Sequence, residues 1–567
     1  MEPTEKMRTA QDPQFTKRSE DSQRTTGIEE TIATASSPAL KTQALEGPPN
    51  LSSTKAIILV STVTLAMLVN VANATAFSIA MATIQKELHL QEYDLQWINS
   101  AYPLSSGCLL LVCGRLADLY GRKKTFLVGS FILMAFTLGC AFPNDVITLD
   151  ILRGFQGIGS AAQIPASLGI LAHAFPPSRA RSFAFATFSA GAPVGAVLGS
   201  LLGGVLTQYT RQTWRSTCYL LAAITFACLL GGAISIDKDL PSTEKDRRVD
   251  WLGAFLVTAG LVLIVFVLSQ GESAPKQWET PYIIALLVVG VLLILCFGFW
   301  QRYLERVQED VAAPYSRLTP PPIMRLSIWK SANGRMGAMM LMGFTSWCGF
   351  IAFAYWIQLY YQNYKLYTPI QTVIRLFPMF ITGMLCNVFV ALTVSYIPLV
   401  LLIGTGALST SIACLLFAVI DPNASYWAFG FPAAILSVLG ADLLFSSGSI
   451  FIAKFALPHE QSVAGALFNT MTQLGTALGV TVSTVVFHRL SISKDIPVLP
   501  ELENGGAAIV LYHAAMWTCF AFVAIATVLG VVAFRGVGII GDNHSKSNSD
   551  QEADSRTVDE KTEVTDV

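Results

Sequence analysis

Charge is scarce in this chain. Asp, Glu, Lys and Arg make up 13% of its 567 residues, while 53% are hydrophobic. A soluble protein carries about 25% charged residues, so lipid is the expected solvent for most of the chain. The formal net charge is −1, and no basic patch interleaved with aromatics stands out, which excludes nucleic acid as a partner. No GxxxxGK[ST] phosphate-binding loop occurs, so there is no ATP site of that kind. The ten cysteines form no CxxC pair; they read as small residues inside apolar runs, with no disulfide framework and no metal site. The six histidines are scattered. His173, His459, His488 and His513 fall near the ends of apolar runs without pairing at metal spacing. A membrane hydrolase or transferase would gather His, Asp or Glu at such an end, so the expectation is no enzyme, no catalytic residue, no metal and no cofactor.

What is present is a long series of apolar runs. A helix needs about 20 apolar residues to cross a bilayer, and the chain holds fourteen such candidates. This is an all-α, polytopic pattern. Residues 1–55 are rich in Ser, Thr, Gln, Pro and charge and lack the apolar core of a signal peptide; they read as a disordered tail. Six spans fill 56–236, two more fill 251–300, a linker containing "RLTPPPIMRLSIWK" runs over 301–336, and six spans fill 337–535. A polar, acidic tail, 541–567, ends in "DSRTVDEKTEVTDV". The second part of the linker reads equally well as a plain connector or as a short helix on the membrane face. Most Lys and Arg of the short loops follow even-numbered spans, which places both tails in the cytosol by the positive-inside rule.

One cluster breaks the apolar pattern. "GRLADLYGRKK" holds Gly114, Arg115, Asp118, Gly121, Arg122, Lys123 and Lys124 between the second and third runs. A positive-inside cluster explains the basic groups, but not an Asp set between two glycines. Gly114, Asp118, Gly121, Arg122 and Lys123 match the loop signature of the major facilitator superfamily, which the segment resembles. The resemblance implies two six-helix bundles that rock about a central site, and a cytosolic gate in which Asp118 accepts from basic groups and caps a neighbouring helix. The glycines are then expected to let helix ends approach.

Other stretches of the N-terminal half carry the same resemblance. "RGFQGIGSA" in span 4, with Arg153, Gln156, Gly157 and Gly159, is similar to the superfamily's span-4 motif. An arginine at the centre of a span costs about 2.5–3.5 kcal/mol on insertion scales, and Arg153 is expected to face a polar cavity. In "SAGAPVGAVLGSLLGG" of span 5, Gly191, Gly195, Gly199 and Gly203 recur every fourth residue, one small face that allows close packing. The stretch resembles an antiporter signature, with Ser200 where a Pro is usual and Pro193 earlier. Fourteen spans resemble the drug:proton antiporter branch, and residues about 70–235 resemble its fungal aminotriazole-resistance-like efflux members. Many members of that branch carry an Asp in span 1; here "ANATAFSIA" has Asn73 at that place and Thr75 matching. An amide neither takes nor releases a proton near neutral pH, so another group must carry any coupled proton. Asp442, midway along span 12 in "SVLGADLLFSSGSIFIAKF", is the candidate, since a carboxylate at that depth marks a functional site by default. The alternative is an Asp satisfied by Ser446, Ser447 or a neighbouring helix.

Aromatic and amide residues complete the candidate lining: Trp347, Tyr355, Trp356 and Tyr360 in span 9, Asn387 in span 10, Asn469 and Gln473 in span 13. The expectation is a monomeric efflux transporter of a small organic compound in exchange for protons, in the plasma membrane or else a vacuolar or vesicle membrane, with lipid, solute and protons as partners. An uncoupled facilitator or importer and a transporter-like solute sensor are the alternatives.

Overall fold

The computed structural model describes residues 52–90, 92–175, 179–239, 248–271, 274, 277–309, 319–393, 396–456, 461–494 and 505–535. The expected tails, 1–51 and 541–567, lie outside the described residues. The chain divides after Ser53, and the architecture is that of the unit beginning at Thr54. Among the described residues there is no strand.

Fourteen long helices follow one another among the described residues: α1 Ser53–Glu87, α2 Glu92–Tyr120, α3 Arg122–Gly139, α4 Val146–Ala174, α5 Arg179–Tyr209, α6 Trp214–Ser235, α7 Trp251–Gln270, α8 Pro281–Glu309, α9 Arg335–Leu359, α10 Pro369–Thr393, α11 Leu399–Ala418, α12 Gly430–Phe455, α13 Gln461–Lys494 and α14 Gly505–Ala533. Eleven are long and apolar enough to cross a membrane. The other three, α2, α3 and α4, hold the motif charges or the span-4 polar residues. Fourteen spans are compatible with this arrangement.

The helices overrun the apolar runs. The helix α1 starts at Ser53, so the last residues of the expected N-terminal tail are helical. The helix α8 continues to Glu309, so 301–309, expected as linker, are helix instead. From residue 319 onward the linker is packed rather than loose: Ile323, Met324 and Ile328 are buried, and Ser327–Lys330 forms one helical turn.

Helix ends are set by local chemistry. Gly121 separates α2 from α3 with φ +116°, a conformation that side chains with a Cβ rarely adopt. Asp145 caps α4 by accepting the Thr148 amide at 2.8 Å, and Asp250 caps α7 by accepting that of Gly253 at 2.8 Å. After α9 the helix widens into a π-turn, Tyr360–Tyr364.

Helices α1–α6 form an N-terminal bundle. The glycine face of α5 lies on α1: ideal Cβ atoms at Gly191, Gly195, Gly199 and Gly203 would fall 2.8 Å from Thr64 O, 2.9 Å from Leu68 Cα, 2.6 Å from Ala72 Cα and 3.0 Å from Ala76 Cα. The four-residue repeat is thus answered by a four-residue repeat on α1, and backbones meet where any side chain would block them. Helices α9–α14 form a C-terminal bundle with an aromatic core, in which Phe353, Phe417, Phe451, Phe468 and Phe487 are almost wholly buried. The hairpin α7/α8 packs beside the two bundles, with Val265 against Leu104 and Cys108 of α2 and Leu474 and Ala477 of α13.

Candidate functional site

The loop motif lies at one end of the N-terminal bundle, here the basic end. Asp118 accepts from Arg122 at 3.1 Å, one turn on. Arg122 also donates to Gly169 O of α4 at 3.0 Å. Lys123 Nζ donates to Ala233 O at 2.9 Å and Ile236 O at 2.6 Å, satisfying carbonyls that the end of α6 leaves open. The expected capping role passes to another residue. It is Asp239, beyond α6, whose carboxylate accepts the Lys123 and Lys124 amides at 2.8 and 3.1 Å and so caps α3. The reason is geometric: Asp118 lies one turn before the break at Gly121, and its carboxylate is held by Arg122. Each of these partners belongs to the N-terminal bundle or to the segment leaving it, so the motif ties α2, α3, α4 and α6 together. A Cβ at Gly114 would make only an ordinary contact, 3.6 Å from Pro165 Cβ, and one at Gly121 would meet the Asp239 side chain; neither glycine marks a close approach of two helix backbones.

Above the motif runs a buried amide ladder. Gln156 of α4 donates to Asn73 Oδ1 of α1 at 2.8 Å and to Thr137 Oγ1 of α3 at 2.7 Å. Gln163, two turns along α4, donates to Ser130 Oγ of α3 at 2.8 Å and accepts from Asn70 of α1 at 2.5 Å. Both rungs read Asn–Gln–hydroxyl on the same three helices, and all six residues are buried. Tyr102 of α2 joins by donating to Asn70 Oδ1 at 2.9 Å. Asn73 also donates to Val69 O at 2.9 Å, so the amide fills a donor and an acceptor position at once.

Arg153 does not face a cavity. It is 0% exposed, donates to Ile98 O at 3.0 Å and to Gln156 Oε1 at 2.7 Å, and lies 4.3 and 5.0 Å from the ring centroids of Phe77 and Tyr102. Packing between α1, α2 and α4 encloses it, and the ladder takes the polar role expected of a cavity.

The bundles meet along two seams. In one, α2 crosses α13: a Cβ at Gly107 would fall 2.9 Å from Gln473 Cβ. In the other, α5 faces α10 and α12. An ideal Cβ at Gly383 lies 3.0 Å from Asp442 Oδ2, 3.2 Å from Val438 and 4.0 Å from Pro193 Cβ of the opposite bundle. Asp442 therefore stands at the seam. Asn387 donates to Asp442 Oδ2 at 3.4 Å and to Gly383 O at 2.9 Å, while Ser446 donates to Asn387 Oδ1 at 3.2 Å. The two serines do not satisfy Asp442 directly: Ser446 turns to Asn387, and Ser447 bonds Leu443 O.

Opposite the basic end the bundles are joined. Gln362 donates to Ile79 O at 3.0 Å, Asn363 to Gln85 Oε1 at 3.0 Å, and the Ile370 amide to Gln208 Oε1 at 3.4 Å. Gly204 of α5 presses on Val373 and Pro369 of α10. The described conformation is closed at this end.

The remaining candidates divide by place. Tyr355 and Trp356 are 2% and 0% exposed; the Trp356 indole donates to Ser483 at 2.8 Å and stacks on Phe487 at 4.5 Å. That ring belongs to the C-terminal core, with no face left for a solute in this conformation. Tyr360 stacks on Tyr364 in the π-turn. Trp347 is half-buried, 5.1 Å from Phe445, and Asn469, also half-buried, bonds Gly465 O at 3.1 Å. Sequence reasoning passed over Asn70, Ser130, Thr137, Gln163, Asp239, Gln362 and Asn363. A signal existed for the ladder: polar residues seven apart on both α3 and α4 lie on one helical face.

The family model of the Major Facilitator Superfamily matches residues 63–250. The chain is 25% identical to the aminotriazole resistance protein of Saccharomyces cerevisiae, over 76% of this chain and 77% of that one. It is 27% identical to the efflux pump terJ of Aspergillus terreus, over 69% and 73%, and 26% identical to the low affinity ammonium transporter of Saccharomyces cerevisiae, over 70% and 75%. In structure it resembles an auto-inhibited peptide transporter of the POT family, with TM-score 0.58 and 16% identity, over 84% of this chain and 96% of that one. The loop motif and the two bundles agree with these matches: over residues 63–250 the chain matches the Major Facilitator Superfamily, and over most of its length it is similar to multi-pass membrane transporters.

Proposed function

We propose that this transporter exports a small organic compound by alternating access, driven by protons, with its basic end in the cytosol. The observation that carries the reading is Asp442, a carboxylate at the seam where α10 and α12 meet α5. Gain or loss of a proton there changes the charge between the bundles, so it biases how closely the seam shuts. The N-terminal bundle has the build of a rigid half, tied by the motif at one end and the amide ladder inside. The hydrogen bonds opposite the basic end are few enough to release. The named activities of the relatives include efflux and resistance, which agree with export of a drug, toxin or secondary metabolite.

The driving force suffices. One proton crossing a potential of about 100 mV contributes about 2.3 kcal/mol, and one pH unit adds about 1.4 kcal/mol. With tight coupling the sum sustains a gradient of several hundredfold for a neutral solute, at about 1.4 kcal/mol per tenfold.

A second reading, an uncoupled facilitator, is favoured by Asn73, which is a neutral amide held on both sides. Metabolite profiling of cells and medium, with and without the gene, tests export itself. A compound that moves from medium to cytosol on deletion supports efflux. A compound that moves the other way supports uptake, and no gene-dependent change removes the export reading.

A further inference from the structure

We infer that the α7/α8 hairpin is a fixed part of the C-terminal rocking body, and that α2 slides along it when the transporter changes state. The inference rests on the two-body reading above and says which body carries the two added helices.

The hairpin is joined to the C-terminal side at both of its ends by directional bonds. At the basic end Asp250 is 1% exposed. It accepts from the Gly253 amide, from Trp300 Nε1 at 2.8 Å and from Gln301 Nε2 at 2.5 Å, which locks the start of α7 to α8. Gln301 Oε1 then accepts the Met324 amide at 3.2 Å, and Glu305 accepts the Ser327 amide at 3.1 Å. Met324 and Ile328 are buried in the C-terminal core with Met336, Met339 and Phe468. At the other end Arg489 of α13 donates to Gln277 of the hairpin turn at 3.0 Å.

Toward the N-terminal bundle the hairpin presents apolar surface. Phe266 lies 6.2 Å from the Trp97 ring, Val265 meets Leu104 and Cys108, and Ala254 meets Val112. Apolar contact is non-directional, so one surface can pass over the other at small cost. Hydrogen bonds at two points about one membrane thickness apart fix orientation as well as position. The hairpin thus covers the α2–α13 seam while belonging to one side of it.

Electron–electron distance measurement on the full-length protein in nanodiscs tests this without any substrate. Among the described cysteines only Cys296 is exposed, so Cys296→Ser leaves a background for spin labels at Lys86 on α1, Glu279 in the hairpin turn and Ser493 on α13, each exposed. The pairs are measured before and after Gln362→Ala with Asn363→Ala, which removes two bonds holding the bundles together. The control pair Lys86–Ser493 is expected to lengthen. The pair Glu279–Lys86 should lengthen with it, while Glu279–Ser493 keeps one unchanged distance. If Glu279–Ser493 lengthens and Glu279–Lys86 stays fixed, or if both change, the hairpin does not belong to the C-terminal body. A control pair that never moves would instead overturn the two-body reading itself.

Discussion

Gly199 and Gly114 show how differently two motif glycines are constrained. A Cβ at Gly199 would press on the backbone of Ala72 at 2.6 Å, whereas one at Gly114 meets only Pro165 at an ordinary 3.6 Å. Gly199→Ala should therefore destabilise the protein by about 1–3 kcal/mol, the usual cost of overpacking, and Gly114→Ala should leave stability unchanged. Thermal unfolding in detergent, followed by intrinsic fluorescence, separates the two; equal midpoints for both would contradict the account. Asp239→Ala removes the cap of α3 and should cost about 1 kcal/mol, read in the same assay. The motif's membership was legible in residues 114–124, but the capping partner was not. Asp239 is more than a hundred residues from the amides it accepts, and nothing local marks it as a cap. Asp442 was legible because a carboxylate deep in an apolar run is rare. Its surroundings at the seam, Gly383 of the adjacent α10 and Pro193 of the opposite bundle, are set by tertiary packing and leave no trace in spacing.

At the scale of elements, the π-turn after α9 bears the closure opposite the basic end. Gln362 and Asn363 are both within 6% of full burial and both reach α1. Two hydrogen bonds at about 1 kcal/mol each hold the closed state by about 2 kcal/mol, so removing both should shift the open fraction roughly thirtyfold. Val373, 4% exposed behind Gly204, reports the opening: Val373→Cys should label faster with an impermeant maleimide when both amides are alanine. An unchanged labelling rate would place the closure elsewhere. Helix α4 adds a pH signature. The Thr148 amide and hydroxyl hold the Asp145 carboxylate below its ordinary value of 3.8. A lowered folded-state value means that the cap's contribution is complete above the ordinary value and is lost as pH falls through the lowered one. Asp145→Ala should accordingly narrow the stability difference between pH 6 and strong acid. Helix positions were readable from apolar runs of about 20 residues, but their ends were not. The polar turns at 301–309 continue α8 because Gln301 and Glu305 find partners in the linker, a contact that sequence alone does not display.

At the scale of the molecule, the described helices form two bundles of different chemistry, with the α7/α8 hairpin beside them. The N-terminal one is filled by neutral amides and an enclosed arginine. The C-terminal one brings a carboxylate to the seam. If protons drive export, the coupling lies in the C-terminal bundle, and exchange of solute should survive its loss while uphill transport should not. The most direct measurement uses proteoliposomes loaded with the compound that profiling identifies, comparing the wild type with Asp442→Asn in two modes. The account predicts that the variant still exchanges labelled for unlabelled compound, yet fails to concentrate it when a pH gradient is imposed. Uphill transport at the wild-type level in Asp442→Asn would contradict it.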